Sequence, residues 1–233
     1  MRKSRYLITP SLLNSFYFYQ NYKGDKENEI RTDFLSALGK KSFEPNAAMQ
    51  KGIDFEYLVQ KTCQWDVVDW PRLLASKCQK LKSLNISSIE EANKFVDKNP
   101  EYLECVREMG ERVKGGVWQS PLKKEVSFGD RHYLLYGRSD VIKENKIIDI
   151  KYTKSYDLGK FQASAQHRIY LECSQMPVFE YLITDGRSCW TETYYNHDKL
   201  ILDIQSLVFD FAKYLAFDSQ AGKLFYNLWK CYD

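Results

Sequence analysis

The fold is decided by the stretch from residue 136 to residue 152, YGRSDVIKENKIIDIKY. Apolar pairs on either side of a short polar turn predict two antiparallel strands. Asp149 and Lys151 are two positions apart and so lie on one face of the second strand, whereas Ile148 and Ile150 point to the other face and into the core. An acid and a base buried on one face of an apolar strand cost free energy, which indicates a chemical role.

Further strands are predicted on both sides of this stretch. Residues 122–128 and 132–137 predict a hairpin, and residues 177–184 and 189–195 predict another around an Asp-Gly turn. A helix from about residue 158 to residue 173 is predicted between the two groups of strands.

The rest of the chain is predicted to be helical, apart from a polar loop with a broken helical turn at residues 22–41. The predicted helices cover about residues 11–20, 46–62, a segment that begins at Trp70, 88–98, 100–114, 197–217 and 219–230. Because no linker or repeat interrupts this order, we predict one α/β domain of mixed α+β type over residues 1–233. Residues 64–120 are expected to form a helical insertion within it.

Two carboxylates flank the predicted turn. A hairpin of this length can bring Asp140 near Asp149, but the sequence does not fix the register. Neighbouring carboxylates repel each other unless they share a proton or a cation, and Mg²⁺ prefers such oxygen ligands and keeps several waters. We therefore predict a Mg²⁺ (or Mn²⁺) site to which the main-chain carbonyl of Ile150 contributes. Lys151 would stabilise charge on a phosphate, or orient and deprotonate an attacking water.

These residues resemble a known family signature. Ser139-Asp140, an eight-residue gap and Asp149-Ile150-Lys151 are similar to the PD-(D/E)XK nuclease motif, with serine in place of its variable proline. Gln166 and Tyr170 resemble the QxxxY motif of the RecB-like branch, and the segment from Gly52 to Glu56 resembles its GxxxH or GxxxE motif.

The resemblance implies a restriction-endonuclease-like core, in which helices flank a central mixed sheet of about five strands. It also implies a Mg²⁺-dependent deoxyribonuclease, an exonuclease of phage-type DNA recombination or repair. The implied catalytic residues are Asp140, Asp149, Lys151 and Glu56, and the implied metal ligands are Glu56, Asp140, Asp149 and Ile150. DNA contacts are expected from Gln166, Tyr170, Arg138 and Lys154.

The positions of the cysteines indicate which members of this family the chain resembles. The six cysteines form no CxxC pair and no zinc-type cluster, so six free thiols are expected. Relatives with an iron–sulfur cluster use one N-terminal cysteine and a C-terminal group of cysteines, whereas this tail contains only Cys231. We therefore expect no iron–sulfur cluster and a resemblance to lambda-exonuclease-like proteins, which implies a homo-oligomer or a single-strand annealing protein as partner.

Several alternatives remain open at this stage. The chain could be a structure-specific or transposon-related endonuclease on the same fold, or a non-catalytic DNA-binding module. Asp149 and Lys151 could be a surface ion pair, and Glu56 an ordinary exposed glutamate close to Asp54. His167 is expected at the surface.

Composition is less informative than these motifs. A net charge of +3 with 17 tyrosines permits nucleic-acid binding without demonstrating it. No apolar run of about 18 residues and no signal-peptide core is present, so we expect a cytoplasmic protein with no membrane span.

Overall fold

A computed structural model describes residues 4–41, 44–65, 67–76 and 81–231. The first half of the chain contains β1 (Arg5–Ile8), α1 (Pro10–Asn21), α2 (Glu27–Leu38), α3 (Ala47–Thr62), α4 (Trp70–Leu74), α5 (Ile89–Lys98), α6 (Pro100–Val113) and β2 (Val117–Trp118). The second half contains β3 (Pro121–Phe128), β4 (Arg131–Arg138), β5 (Val141–Lys143), β6 (Lys146–Tyr152), α7 (Ala165–Ser174), β7 (Val178–Thr184), β8 (Cys189–Tyr195), α8 (Leu200–Phe217), α9 (Ser219–Leu228) and β9 (Lys230–Cys231).

The described strands form two mixed sheets. One has the order β3-β4-β1-β9, with β1 parallel to β4, and the other has the order β2-β5-β6-β7-β8, with β6 parallel to β7. The protein is therefore of the mixed α/β class, as predicted. Pairing between β5 and β6 ends at Val141 and Ile148, so the second half of β6 extends beyond β5.

Two hydrophobic clusters enclose the second sheet. The larger one contains buried residues of α1, α7, α8 and α9 together with Ile147 of β6. The smaller one contains buried residues of α3, α4, α5 and α6 together with Ile148 and Ile150. Strand β6 is therefore covered on both faces, and its alternation separates Ile148 and Ile150 from Asp149, as predicted.

The predicted helix starts are confirmed at three positions. The hydroxyl of Thr9 accepts a hydrogen bond from the main-chain N of Leu12, and the side chain of Asn46 accepts hydrogen bonds at the start of α3. The hydroxyl of Ser88 accepts one from the main-chain N of Glu91. Each side chain satisfies amide groups that the first turn of a helix leaves without partners.

Two predictions of secondary structure are wrong. Residues 22–41 are not a loop, because α2 forms there and buries Phe34 and Leu38 in the larger cluster. The helix predicted from residue 158 begins only at Ala165, because the buried carboxylate of Glu192 accepts hydrogen bonds from the main-chain N of Gly159 and Phe161. Contacts from distant parts of the chain decide both segments.

The structure also bears on the N-terminal strand, the cysteines and the expected lack of a membrane span. Strand β1 was not expected, and it forms because β4 pairs with it along its whole length. Cysteines 63, 105, 173, 189 and 231 are free thiols, and Cys78 lies outside the described residues. Among the helices of the described ranges, none combines the length and the apolar character needed to cross a membrane.

The C-terminal helices depend on one carboxylate. Oδ1 of Asp218 accepts hydrogen bonds from the main-chain N of Gln220 and Ala221, while Oδ2 accepts them from Tyr214 and Arg31. Partial burial opposes ionisation, but these donors outweigh it and lower the pKa of Asp218 to about 2.

We predict that Asp218→Asn lowers the free energy of unfolding at pH 7 by about 1–2 kcal/mol, because asparagine still caps α9 but loses the charge. A lowered pKa stabilises the fold above the unfolded-state pKa of about 3.9, and this contribution is lost as the pH falls towards 2. Urea unfolding between pH 7 and pH 3 should show the difference between wild type and variant shrinking. A difference that does not change with pH would contradict this explanation.

Candidate functional site

The site begins with an ion pair on β6. Nζ of Lys151 lies 2.5 Å from Oδ2 of Asp149. The Asp149 side chain is 2% exposed, whereas that of Lys151 is 30% exposed and reaches solvent. Oδ1 of Asp149 accepts a hydrogen bond from the side-chain amide of Gln166, in the first turn of α7. The pair is therefore partly buried, which argues against the alternative of an ordinary surface ion pair.

Asp140 lies where the pairing of β5 with β6 stops. Its Oδ2 accepts a hydrogen bond of 2.9 Å from the main-chain N of Ile150, which no β5 residue reaches. A strand residue directs its N–H and its carbonyl to the same side, so the carbonyl of Ile150 also lies towards Asp140. The register left open by the sequence therefore brings Asp140 beside the Asp149–Lys151 segment.

Gln119 links Asp140 to Glu56. The main-chain N of Gln119 donates to the carbonyl of Asp140 at 2.8 Å, and its side-chain amide donates to Oε1 of Glu56 at 3.0 Å. A cleft of about 550 Å³ opens here, lined by Glu56, Gln60, Gln119, Arg138 and Asp140. Sequence reasoning missed Gln119, because it follows a two-residue strand and belongs to no motif.

Asp54 and Glu56 have different roles although they lie close together on α3. Asp54 is fully buried and accepts hydrogen bonds from the side chain of Gln50 and from the main-chain N and hydroxyl of Ser83. Its carboxylate therefore holds the segment around Ser83 to α3. Glu56 instead lines the cleft together with Asp140, which supports the choice of Glu56 over Asp54 as a site residue.

Negative charge dominates this cluster. Burial, reinforced by the nearby carboxylates of Asp149 and Glu56, raises the pKa of Asp140 well above its usual range, although Lys151 and the Ile150 N–H oppose the shift. Burial lowers the pKa of Lys151, but Asp149 and Asp140 outweigh it and raise the pKa overall. Two carboxylates beside one ammonium group, with Glu56 close to Asp140, favour the uptake of a cation or a proton.

The donor set suits a metal that needs few protein ligands. In the ranges that the structure describes, no three His, Cys, Asp or Glu side chains form a group that could hold a metal ion. As they are placed, Glu56, Asp140 and Asp149 therefore do not form a cage made only of protein. Mg²⁺ typically takes one or two carboxylates and completes its shell with water and substrate oxygens, so the donors present here fit it.

Gln166 and Tyr170 line a second cleft, of about 390 Å³, on the α7 side of β6. Arg138 and Lys151 also line it, and Arg138 belongs to both clefts. The buried Tyr170 donates its hydroxyl to the carbonyl of Arg138 at 2.9 Å, and its ring occupies the space that a side chain at Gly137 would fill. Tyr170 therefore holds the end of β4 in place.

Two further residues discussed from the sequence, Lys154 and His167, line neither of these two clefts. Lys154 is exposed at the end of β6 and lines a third cleft, which Lys51, Lys160 and Arg187 also line. The surface position expected for His167 is wrong, because its side chain is 5% exposed and its ring stacks on Tyr194. Burial, with a smaller effect from Arg168, lowers the pKa of His167 to about 3.

Comparisons with known proteins add no functional information. No protein-family profile matches the chain, and no curated protein matches it. One similar solved structure is described as the crystal structure of SSO0001, which has 18% sequence identity and a TM-score of 0.36, and the match covers 69% of this chain and 85% of that one. A likeness at this level supports no conclusion about the fold or the activity of this protein.

The excess of carboxylates gives a prediction about stability. Asp140→Asn removes one negative charge and keeps an oxygen for the Ile150 N–H, so we expect it to raise the free energy of unfolding by about 0.5–2 kcal/mol in metal-free buffer. Urea unfolding at neutral pH measures this change. Asp130→Asn, in the exposed turn before β4, is the matched control and should stay within about 0.5 kcal/mol of wild type. A variant at Asp140 that is less stable than wild type would contradict the electrostatic account.

Proposed function

We propose that this protein is a metal-dependent deoxyribonuclease that hydrolyses phosphodiester bonds of DNA. The observation that carries the proposal is that Asp140 lies beside the second half of β6, which carries Asp149 and Lys151, with Glu56 in the same cleft as Asp140. Acidic residues beside a lysine and close to an exposed arginine suit a reaction in which a cation and a phosphate must be held together.

The proposal includes a restriction-endonuclease-like core of the PD-(D/E)XK type and its RecB-like branch. Its support is the order of elements along the chain: α3 carries Glu56, β6 carries Asp149 and Lys151, and α7 carries Gln166. The five-stranded mixed sheet β2-β5-β6-β7-β8 has the size expected for such a core. In this interpretation, α4, α5 and α6 form the insertion within one nuclease domain.

Asp140, Asp149, the carbonyl of Ile150 and Glu56 would hold Mg²⁺ or Mn²⁺. When bound, the metal would neutralise phosphate oxygens and lower the pKa of a water molecule. Asp140 and Glu56 reach this position from different elements, so the site depends on α3 staying packed against β6. We propose no iron–sulfur cluster.

Lys151 would act as a hydrogen-bond donor to the substrate or to the attacking water. Its ammonium group is paired with Asp149 and its side chain lines the cleft beside Arg138 and Gln166. From that position it can donate hydrogen bonds to a non-bridging phosphate oxygen or to the attacking water. Of the three roles predicted from the sequence, charge stabilisation and water orientation therefore suit the ion pair better than proton abstraction.

Gln166 and Tyr170 position these groups. The amide of Gln166 fixes the carboxylate of Asp149, and the Tyr170 hydroxyl fixes the main chain of Arg138. Arg138 is exposed between the two clefts and can contact a phosphate on either side. Of the predicted DNA contacts near these clefts, Arg138 would therefore be a direct one, while Gln166 and Tyr170 orient the reacting groups.

We predict that Asp149→Asn lowers the rate of Mg²⁺-dependent cleavage of linear duplex DNA by about 10²-fold or more, because the ion pair that holds Lys151 is lost. Gel assays of labelled DNA measure the rate, and thermal melting checks that the variant is folded. Asp130→Asn is the matched control. Asp130 lies before β4 and the site residue Asp140 lies after it. The eight residues of this strand span about 26 Å, so the control position is far from the site. Unimpaired cleavage by Asp149→Asn would contradict the proposed function.

The kind of nuclease can be decided with covalently closed circular DNA. We propose an exonuclease, so linear DNA should be degraded while circles survive, and Ca²⁺ should support binding with little hydrolysis. Cleavage of the circle would favour the structure-specific or transposon-related endonuclease. DNA binding without cleavage of either substrate would favour the non-catalytic module, which the intact set of Asp140, Asp149 and Lys151 argues against.

A further inference from the structure

A basic groove lies beside the site and takes no part in the chemistry described above. Its larger part is a cleft of about 920 Å³ at the C-terminal end of β6, and its smaller part is a cleft of about 470 Å³ along the start of α3. The two parts share Ala47 and Lys51. The cations that define the basic groove are Lys51, Lys82, Lys154, Lys160 and Arg187.

The positive charge of the basic groove is only weakly neutralised. Its acidic lining residues are Glu44 and Asp185, and Oδ1 of Asp185 already accepts hydrogen bonds from the main-chain N of Arg187 and Ser188. Among the described residues, neither Lys51 nor Lys154 has an ion-pair partner, and both are exposed. Arg187 lies 4.0 Å from Glu101 at a mostly exposed position, where such a pair contributes little.

The walls of the larger part of the basic groove come from three separate parts of the chain. Lys51 lies in the first turns of α3, Lys154 and Lys160 lie in the segment between β6 and α7, and Arg187 lies in the turn between β7 and β8. Nζ of Lys160 donates to Oγ1 of Thr153 and to the carbonyl of Ser155, which fixes the shape of the middle segment. The groove is therefore a built feature of the fold.

The basic groove and the second cleft, which Lys151 lines, both lie at the C-terminal end of β6. Lys151 lines the second cleft and Lys154 lines the basic groove, and three residues of chain span at most about 10 Å. A strand bound at Lys151 can therefore continue into the groove without a large detour.

We propose that the basic groove binds the sugar–phosphate backbone of a single DNA strand that runs on from the scissile phosphate. This inference rests on the proposed function, because the bound strand is a substrate only if the protein is a nuclease. Lysine and arginine supply the charge for consecutive phosphates, and Asn46 and Ser155 offer neutral groups of the kind that also bind phosphate oxygens. An acidic peptide would match the charge but not the continuity with a phosphodiester site.

The test is single-stranded DNA binding by the double variant Lys51→Glu/Lys154→Glu. Its matched control is Lys213→Glu/Lys223→Glu, which makes the same change of net charge at exposed positions of α8 and α9. Fluorescence anisotropy of a labelled oligonucleotide in Ca²⁺ gives Kd over a range of salt concentrations. We expect the groove variant to bind about 10-fold more weakly than the control and its salt slope to fall by about 1.4, for two lost phosphate contacts.

Equal affinities of the groove variant and the control would overturn the proposal. It would also be overturned if polyglutamate displaced the labelled oligonucleotide from the wild type more effectively than unlabelled oligonucleotide does. If charge reversal prevents folding, the neutral variant Lys51→Gln/Lys154→Gln replaces it, and we expect a smaller loss of affinity for single-stranded DNA. An unchanged affinity of this variant would also overturn the proposal. Cleavage by the wild type is scored separately in Mg²⁺. Binding through the groove without cleavage would leave this inference standing and refute the nuclease proposal.

Discussion

Burial of the Asp149–Lys151 pair is the constraint on which the other features of the site depend. Both faces of β6 are covered by hydrophobic clusters, so neither charge can be fully hydrated. A buried ion pair is tolerated only where further hydrogen bonds satisfy its remaining polar atoms. Gln166 supplies one such bond to Asp149, and the exposed part of Lys151 reaches the cleft.

The short length of β5 determines where Asp140 binds to β6. If β5 continued to pair with β6, the main-chain N of Ile150 would be used by the sheet. Because pairing ends at Ile148, that N–H donates to Asp140 and fixes a second carboxylate beside the first. The same open edge leaves room for the Gln119–Glu56 contact, so the strand end defines both the cleft and its acidic lining.

Local patterns were sufficient to predict much of this fold, for identifiable reasons. Alternation along β6 placed Asp149 and Lys151 on one face, and capping side chains such as Asn46 marked helix starts, because both signals depend on near neighbours. Long-range contacts were not predictable in the same way. Helix α2 is fixed by aromatic packing such as that of Phe34 on Phe16, and the Gln119–Glu56 bond joins residues 63 positions apart.

A crystal structure of the wild type soaked with Mn²⁺ would test the central claim most directly. Anomalous scattering distinguishes manganese from water and from lighter ions at the same position. We predict a peak in contact with the carboxylates of Asp140 and Asp149 and the carbonyl of Ile150, with Glu56 on the same side of the cleft. No peak at this position, or a peak held by other residues, would contradict the account.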